Sequence, residues 1–468
     1  MKHPPAGLVR NSVLREALHR NTRCHTIALT FALAATAISA QAQGPQVPPI
    51  TLRAVLDSVA ARYPLVLAAQ ARVRAARGTR VTAGAFSNPI VSYQDDRPST
   101  GSAAIPGVDR EQTTTVTLPL EPLYQRGARV RRADAEVRAA TEDAVALRRR
   151  ASLDATRAFY RTALAQVGVA TTRDLLVWLD TLVSYNRARA QQGVAAEADL
   201  IRSQLERDRA AADATILEAE LAQSRAELST FVGVPPATGG LFSIAVDERP
   251  LALPAEVVSS PSSPSTLGAT GRTLQSQALM GRAEVRAARE RVAAASAGVS
   301  SEYSMMFRQI GATFGTKRVA GANTVIAGLS LPIPLFDPNR GEIARAAGER
   351  DAARYELIAQ ERAVSAEVSG AYEAARLLTE RTTAMASDTS GFLARADDAR
   401  RIALGAYREG AVPLLQVIDA ARAWGEARLS YYRILYAQHQ GVAALVFAEG
   451  GDLLTAFPAL ITPVTPNR

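Results

Sequence analysis

Cysteine is nearly missing: the one cysteine in 468 residues, Cys24, precedes the apolar run of an N-terminal presequence. A mature chain without it has no disulfide, no thiolate metal site and no cysteine at the cleavage point for lipidation. Histidine is as scarce. His3, His19 and His25 lie in the presequence, and His439 sits in an apolar helical stretch, where a packed helix residue is the ordinary reading. No carboxylate or serine stands near it at triad or zinc spacing, and no phosphate loop or dinucleotide fingerprint occurs. No catalytic residue, cofactor or metal site is therefore expected, and the chain is not read as an enzyme. Aromatic residues make up 5% of the chain, which suits thin, extended packing better than a thick globular core. No apolar run reaches the ~20 residues that a membrane-crossing helix needs.

The first 42 residues read as a cleavable secretory signal: basic residues from Lys2 to Arg23, an apolar run from Ile27 to Ile38, and Ala40-Gln41-Ala42 as a small-x-small cleavage site. Five basic residues and one acid, Glu16, leave with it, so the net charge falls from +9 to +5. The remaining arginines are interspersed with Asp and Glu along helical stretches. That is the pattern of a solvated face, and nucleic acid is not expected as a partner.

Proline placement divides what remains, because an interior proline costs a helix ~3 kcal/mol. No proline occurs between Pro122 and Pro235, between Pro338 and Pro413, or between Pro413 and Pro458, and all three intervals are rich in Ala, Leu, Arg and Glu. They are expected to be helical. Val130, Ala133, Val137, Ala140, Ala144, Leu147 and Ala151 follow steps of three and four, which predicts one apolar seam of mostly small residues. A single helix over 127–191 would be roughly 100 Å long and would need neighbours to cover that seam.

Two pairs of β-like segments interrupt the helices: Ile90–Gln94 with Thr113–Leu120, and Met305–Gly315 with Asn323–Leu331. The loops Asp95–Arg110 and Thr316–Ala322 are expected to join them. Met306, Ile310, Ala312 and Phe314, then Val325, Ala327, Leu329 and Leu331, place one apolar face on the second pair. Such a face suits a half-buried sheet or a membrane barrel. The chain also repeats itself. Leu118-Pro119-Leu120 before Arg126-Gly127 returns as Leu331-Pro332-Ile333 before Arg340-Gly341, and Gly193 with Asp199 aligns with Gly410 and Gln416 at an offset of 217. Two copies of a helix-strand-strand-long helix-helix unit are expected, at 43–235 and 273–449. A Pro/Ser-rich connection at 236–272 lies between them, and a tail at 450–468 follows. Four strands cannot close a barrel and an open edge is untenable in lipid, so oligomerisation is the expected closure; three chains would give a 12-strand barrel.

The order of elements, Asn88-Pro89 at the first strand, the Leu-Pro-(Leu/Ile) strand ends and Tyr407-x-x-Gly410 before a helix carrying Asp419 resemble the TolC-like outer-membrane efflux proteins, over residues 51–449. The resemblance implies a mainly α protein with a membrane β-barrel. It would be a homotrimer in outer-membrane lipid, its barrel continuous with an α-helical periplasmic tunnel. Periplasmic adaptor and inner-membrane pump would be its partners. It further implies a gate at the two Gly turns, with Gly193, Asp199, Tyr407, Gly410 and Asp419 as its residues here. Two residues depart from the pattern: Gln416 stands where repeat symmetry with Asp199 would offer an acid, and Val412 where some members carry a basic link. Asp199 reads equally as a first-turn residue that complements the helix dipole. A periplasmic coiled-coil adaptor and an outer-membrane component of polypeptide secretion are the alternatives. An adaptor would ordinarily show one hairpin instead of two equivalent halves.

Overall fold

A computed structural model describes residues 49–97, 110–194, 196–233, 242–245, 248–251, 264–308, 310–319, 321–386 and 391–456. The proposed signal, most of the first interstrand loop, most of the Pro/Ser-rich connection and the end of the tail lie outside the described residues. Residues from Pro49 onward form one compact unit.

The first half runs α1 (Leu52–Arg62), α2 (Pro64–Gly84), β1 (Ile90–Asp96), β2 (Glu111–Pro119), α3 (Pro122–Gln191) and α4 (Glu197–Val232). The second runs α5 (Pro264–Gly281), α6 (Ala283–Ser304), β3 (Gly311–Val319), β4 (Ala322–Ser330), α7 (Arg340–Ala386), α8 (Phe392–Arg408) and α9 (Leu414–Glu449), closed by the short α10 (Leu453–Ala456). The same order of elements thus occurs twice, with one difference. The helix α3 is continuous over 70 residues, whereas the proline-free interval after Pro338 is broken between Ala386 and Phe392. Absence of proline permits a helix without compelling one: Gly391 takes a positive φ of 45°, outside the helical region, and its carbonyl then starts α8 by accepting from the Arg395 N–H.

The single seam expected on α3 is also only part of what is buried. Ala133 and Ala151 are buried, but so are Ala128, Ala135 and Ala139, while Val130, Val137 and Leu147 are half-buried. The reason is that α3 has neighbours on more than one side, α2 and α6 among them. A helix inside a layer buries two stripes, and alanine in both lets the neighbours approach closely.

Three buried clusters hold the unit together. In one, Leu52, Val55, Leu56 and Val59 of α1 pack with Leu153, Phe159 and Tyr160 of α3, Leu228 of α4 and Leu435, Tyr436 and Phe447 of α9. The described part of the connection joins this core. Ile244 bridges to Ile50, and the Gln438 amide donates to the Leu251 carbonyl at 2.7 Å and accepts from its N–H at 3.2 Å. His439 is buried beside Tyr160, with Nε2 2.9 Å from the Arg249 carbonyl, so it packs as its sequence context suggested. Tyr432 donates to Glu248 at 2.9 Å, and burial together with that carboxylate pushes its hydroxyl up to about 12. A second cluster joins α5, α6, α7 and α9. Beside it Arg282, 4% exposed at its side chain, is held by Glu284 and Glu367 and stacks on Phe447 with its guanidinium 4.6 Å from the ring centre. No helix among the described residues is long and apolar enough to cross a membrane.

The four strands form one antiparallel sheet in the order β1-β2-β3-β4, so the two halves meet along β2 and β3. Strand boundaries differ from the sequence-based ones. Met305 caps the end of α6 instead of opening a strand, and β3 starts only at Gly311. Conversely, β3 continues through Thr316–Val319, so the expected loop shrinks to the two residues between Val319 and Ala322. Cross-strand register shows two chemically distinct faces. One carries the rungs Val91-Val116-Phe314-Ala327, Tyr93-Thr114-Thr316-Val325 and Leu118-Ala312-Leu329. The other carries Ser92-Thr115-Gly315-Ile326 and Gln94-Thr113-Lys317-Thr324, with hydroxyl contacts Ser92–Thr115 at 2.6 Å and Thr117–Thr313 at 3.1 Å. The apolar face is open: Val325 is 80% exposed and Leu329 70%.

Candidate functional site: the paired helical turns

Helices α3 and α8 end in the same device. At the end of α3 the Gly193 N–H donates to the Ala190 carbonyl and the Val194 N–H to that of Arg189; at the end of α8 Gly410 donates to Tyr407 and Ala411 to Ala406. Every member of one pair of bonds lies 217 residues from its counterpart. This is the Schellman arrangement, in which the residue after the helix must be left-handed. Gly193 at φ +73° and Gly410 at +78° meet that requirement without a Cβ clash.

Side chains around the two turns are not symmetric. Tyr407 is 5% exposed, and its hydroxyl donates to Asn186 Oδ1 of α3 at 2.8 Å. Its ring meets Tyr185 edge-on at 6.0 Å, and the Arg189 guanidinium lies over both rings, 5.5 Å from Tyr185 and 5.7 Å from Tyr407. Burial, and then the Asp199 carboxylate, push the Tyr407 hydroxyl above its ordinary range, with Arg189 opposing. Below them Leu179, Leu182, Ala210, Leu414, Val417 and Ile418 form an apolar cluster that ties α3 and α4 to α9, and Val412 packs against it.

Of the five residues singled out in the sequence, four therefore gather here: the two glycines, Tyr407, and Asp199 in the first turn of α4. Asp419 does not join them. It lies 59% exposed on α9, 3.8 Å from Arg422, and it is Arg422 that reaches across to α4, pairing with both carboxylate oxygens of Glu206. Asn186, Arg189 and the Glu206–Arg422 pair carried no sequence signal. Each depends on which helix faces which, and the 217-residue offset places Ala190, not a polar residue, opposite Tyr407. Because Arg422 is half exposed, its pair with Glu206 is worth at most about 1 kcal/mol. Arg422→Gln is expected to lower the thermal midpoint by no more than about 4 °C. A collapse of the fold on calorimetry would show the link to be structural.

Among the described residues no group of three or more His, Cys, Asp or Glu is arranged to hold a metal ion. With two open-edged strands, a sheet whose exposed face is apolar, and long helices ending in paired turns, the fold is that of the outer-membrane channels. The Campylobacter jejuni CmeC outer membrane channel superposes with a TM-score of 0.70 over 86% of each chain, at 12% identity. Residues 274–451 match the family model described as outer membrane efflux protein. The nickel-cobalt-cadmium resistance protein NccC of Alcaligenes xylosoxydans is 26% identical over 70% of this chain and 72% of its own. The cobalt-zinc-cadmium resistance protein CzcC of Cupriavidus metallidurans is 23% identical over 85% of this chain and 89% of its own. Residues 274–451 thus carry the outer membrane efflux protein domain, and over most of its length the chain resembles the TolC-like outer-membrane efflux proteins, sited in the outer membrane and extending into the periplasm.

Proposed function

We propose that three copies of this chain form a passive export channel, with metal cations as the cargo class. One observation carries the reading: a four-stranded sheet that is apolar on one face and rich in Thr and Ser on the other, with β1 and β4 each unpaired along one edge. Open edges and an exposed apolar face are costly in lipid and in water alike. Pairing β4 of one copy with β1 of the next removes both edges, places the apolar face against lipid and the polar face around a lumen, and closes twelve strands. The repeated element order supports a duplicated unit, with α3 and α4 of one half answering α7 to α9 of the other.

The helices then continue the lumen into the periplasm, and the paired turns lie at the end remote from the sheet. There the Tyr407–Asn186 bond and Arg189 hold α8 against α3, a closed state that a periplasmic adaptor and inner-membrane pump would release. Glu197 and Asp199 at the start of α4 supply the acidic character that favours cations at such an entrance. The names of the two relatives support metal ions over polypeptides as cargo. An adaptor is not favoured, since the sheet has no role in one.

Detergent-purified mature protein is expected to run at three times its protomer mass and to give cation-selective steps in planar bilayers. A soluble, non-conducting monomer would end this reading.

A further inference from the structure

We propose that the outward-facing rim of the sheet, at the end remote from the helices, is a binding site for the phosphate groups of anionic lipid headgroups in the outer leaflet. This rests on the sheet being part of a membrane barrel.

On the apolar face, the row beyond Tyr93-Thr114-Thr316-Val325 is Asp95-Gln112-Arg318-Asn323. It is the first row on that face with charge. Asp95 there grips Arg110 with two bonds, Nε to Oδ1 and Nη2 to Oδ2, both 2.8 Å, and accepts from Arg97 at 3.0 Å. Arg97 and Arg110 remain 66% and 48% exposed at their side chains, and Arg318, exposed two strands away, has no ion pair among the described residues. Three arginines thus stand against one acid, an excess of two positive charges on the outward side of each chain. The opposite face at the same height has the reverse balance, with Asp96 and Glu111 against Lys317, and the Lys317 ammonium is already paired with Glu111. Sequence alternation therefore sends the free positive charge outward and leaves the lumen mouth slightly acidic.

The position of the cluster selects its ligand. From Leu120, where the chain leaves β2, to Gln112 is eight residues, about 27 Å of strand, which at the ~40° tilt of a barrel strand rises about 20 Å, most of the ~25 Å height of a barrel's apolar band. The arginines lie where acyl chains end and headgroups begin. Guanidinium forks match phosphate oxygens in pairs, and the hydroxyl of Tyr93, 3.0 Å from the Gln112 amide, adds an amphipathic ring at the boundary. A soluble anion would use the charges alone. A phosphorylated lipid uses the charges and the apolar rows below them.

The test compares three probes on the detergent-purified mature protein, with bound lipid counted by native mass spectrometry: bis-phosphorylated lipid A, its dephosphorylated form, and inorganic phosphate as competitor. Wild type is expected to retain the phosphorylated lipid selectively, with about fivefold weaker retention for Arg318→Gln and a further drop for the Arg97→Gln, Arg110→Gln, Arg318→Gln combination. Inorganic phosphate at equal concentration is expected not to displace it. Arg318→Gln removes no ion pair and serves as the variant whose folding is not in question. Equal retention of both lipids by a protein that still conducts would overturn the site while leaving the channel intact, as would complete displacement by inorganic phosphate, which points to a soluble anion. Failure of the channel reading is separately visible as a protein that neither needs detergent nor conducts.

Discussion

Gly315→Val is expected to abolish assembly, reducing outer-membrane trimer to background on a non-denaturing gel while the chain is still synthesised and exported. Gly315 sits mid-β3, opposite Thr115 of β2. A Cβ built there overlaps the Thr114 carbonyl oxygen and lies 2.8 Å from Thr115 Cα, both backbone atoms that cannot rotate away. The two strands have to part, and they are the pair that joins the halves of the chain. Parting them removes neighbouring ladder bonds, each worth several kcal/mol in a setting without water to replace it. Gly328→Val is the control: it lies in β4 on the same polar face, with nothing within 4 Å of an added Cβ, and trimer yield should stay close to wild type. Normal assembly of Gly315→Val would show that the β2–β3 seam is not as tight as described.

The second large effect is expected at the turns. Tyr407→Phe keeps the ring packing with Tyr185 and removes the bond to Asn186. One buried hydrogen bond contributes about 1 kcal/mol. If three protomers open together, the loss is about 3 kcal/mol, or about 100-fold in the ratio of closed to open channels. Single-channel recording should show frequent or sustained opening without adaptor or pump, with unitary conductance unchanged once open. A closed-state lifetime equal to wild type would remove Tyr407 from the gate. The pH dependence separates this lock from a carboxylate one. The Tyr407 hydroxyl is raised above its ordinary 10.0, so the neutral, donating form is complete throughout the neutral range. The closed state is then expected to hold from pH 5 to 9 and to weaken only as pH rises past 10 through the raised value. Opening on acidification would instead place the lock on a group other than the Tyr407 hydroxyl.

Both effects turn on residues that the sequence marks unequally. Tyr407 and Gly410 are legible as a short motif, and Gly193 follows from the 217-residue offset, because a helix that stops and reverses needs a left-handed residue wherever it occurs. Asn186 is one polar residue among many on a 70-residue helix. Only the meeting of the C-terminal end of α8 with the C-terminal end of α3 makes it the acceptor. Gly315 likewise reads as an ordinary strand glycine until β2 is placed beside it. Asp419, chosen on motif position, lies on the exposed side of α9, and Arg422 three residues on makes the cross-helix pair.

The division follows from the range of the forces. Local rules act within a few residues: proline exclusion, alternation along strands, and glycine after a helix. They determined the two sets of long helices, the four strands with their apolar face, and the paired turns. The extension of β3 through Thr316, the second buried stripe on α3 and the Tyr407–Asn186 contact were decided by tertiary structure. In each case the competing local conformations are close in energy, and neighbours hundreds of residues away supply the contacts that choose between them.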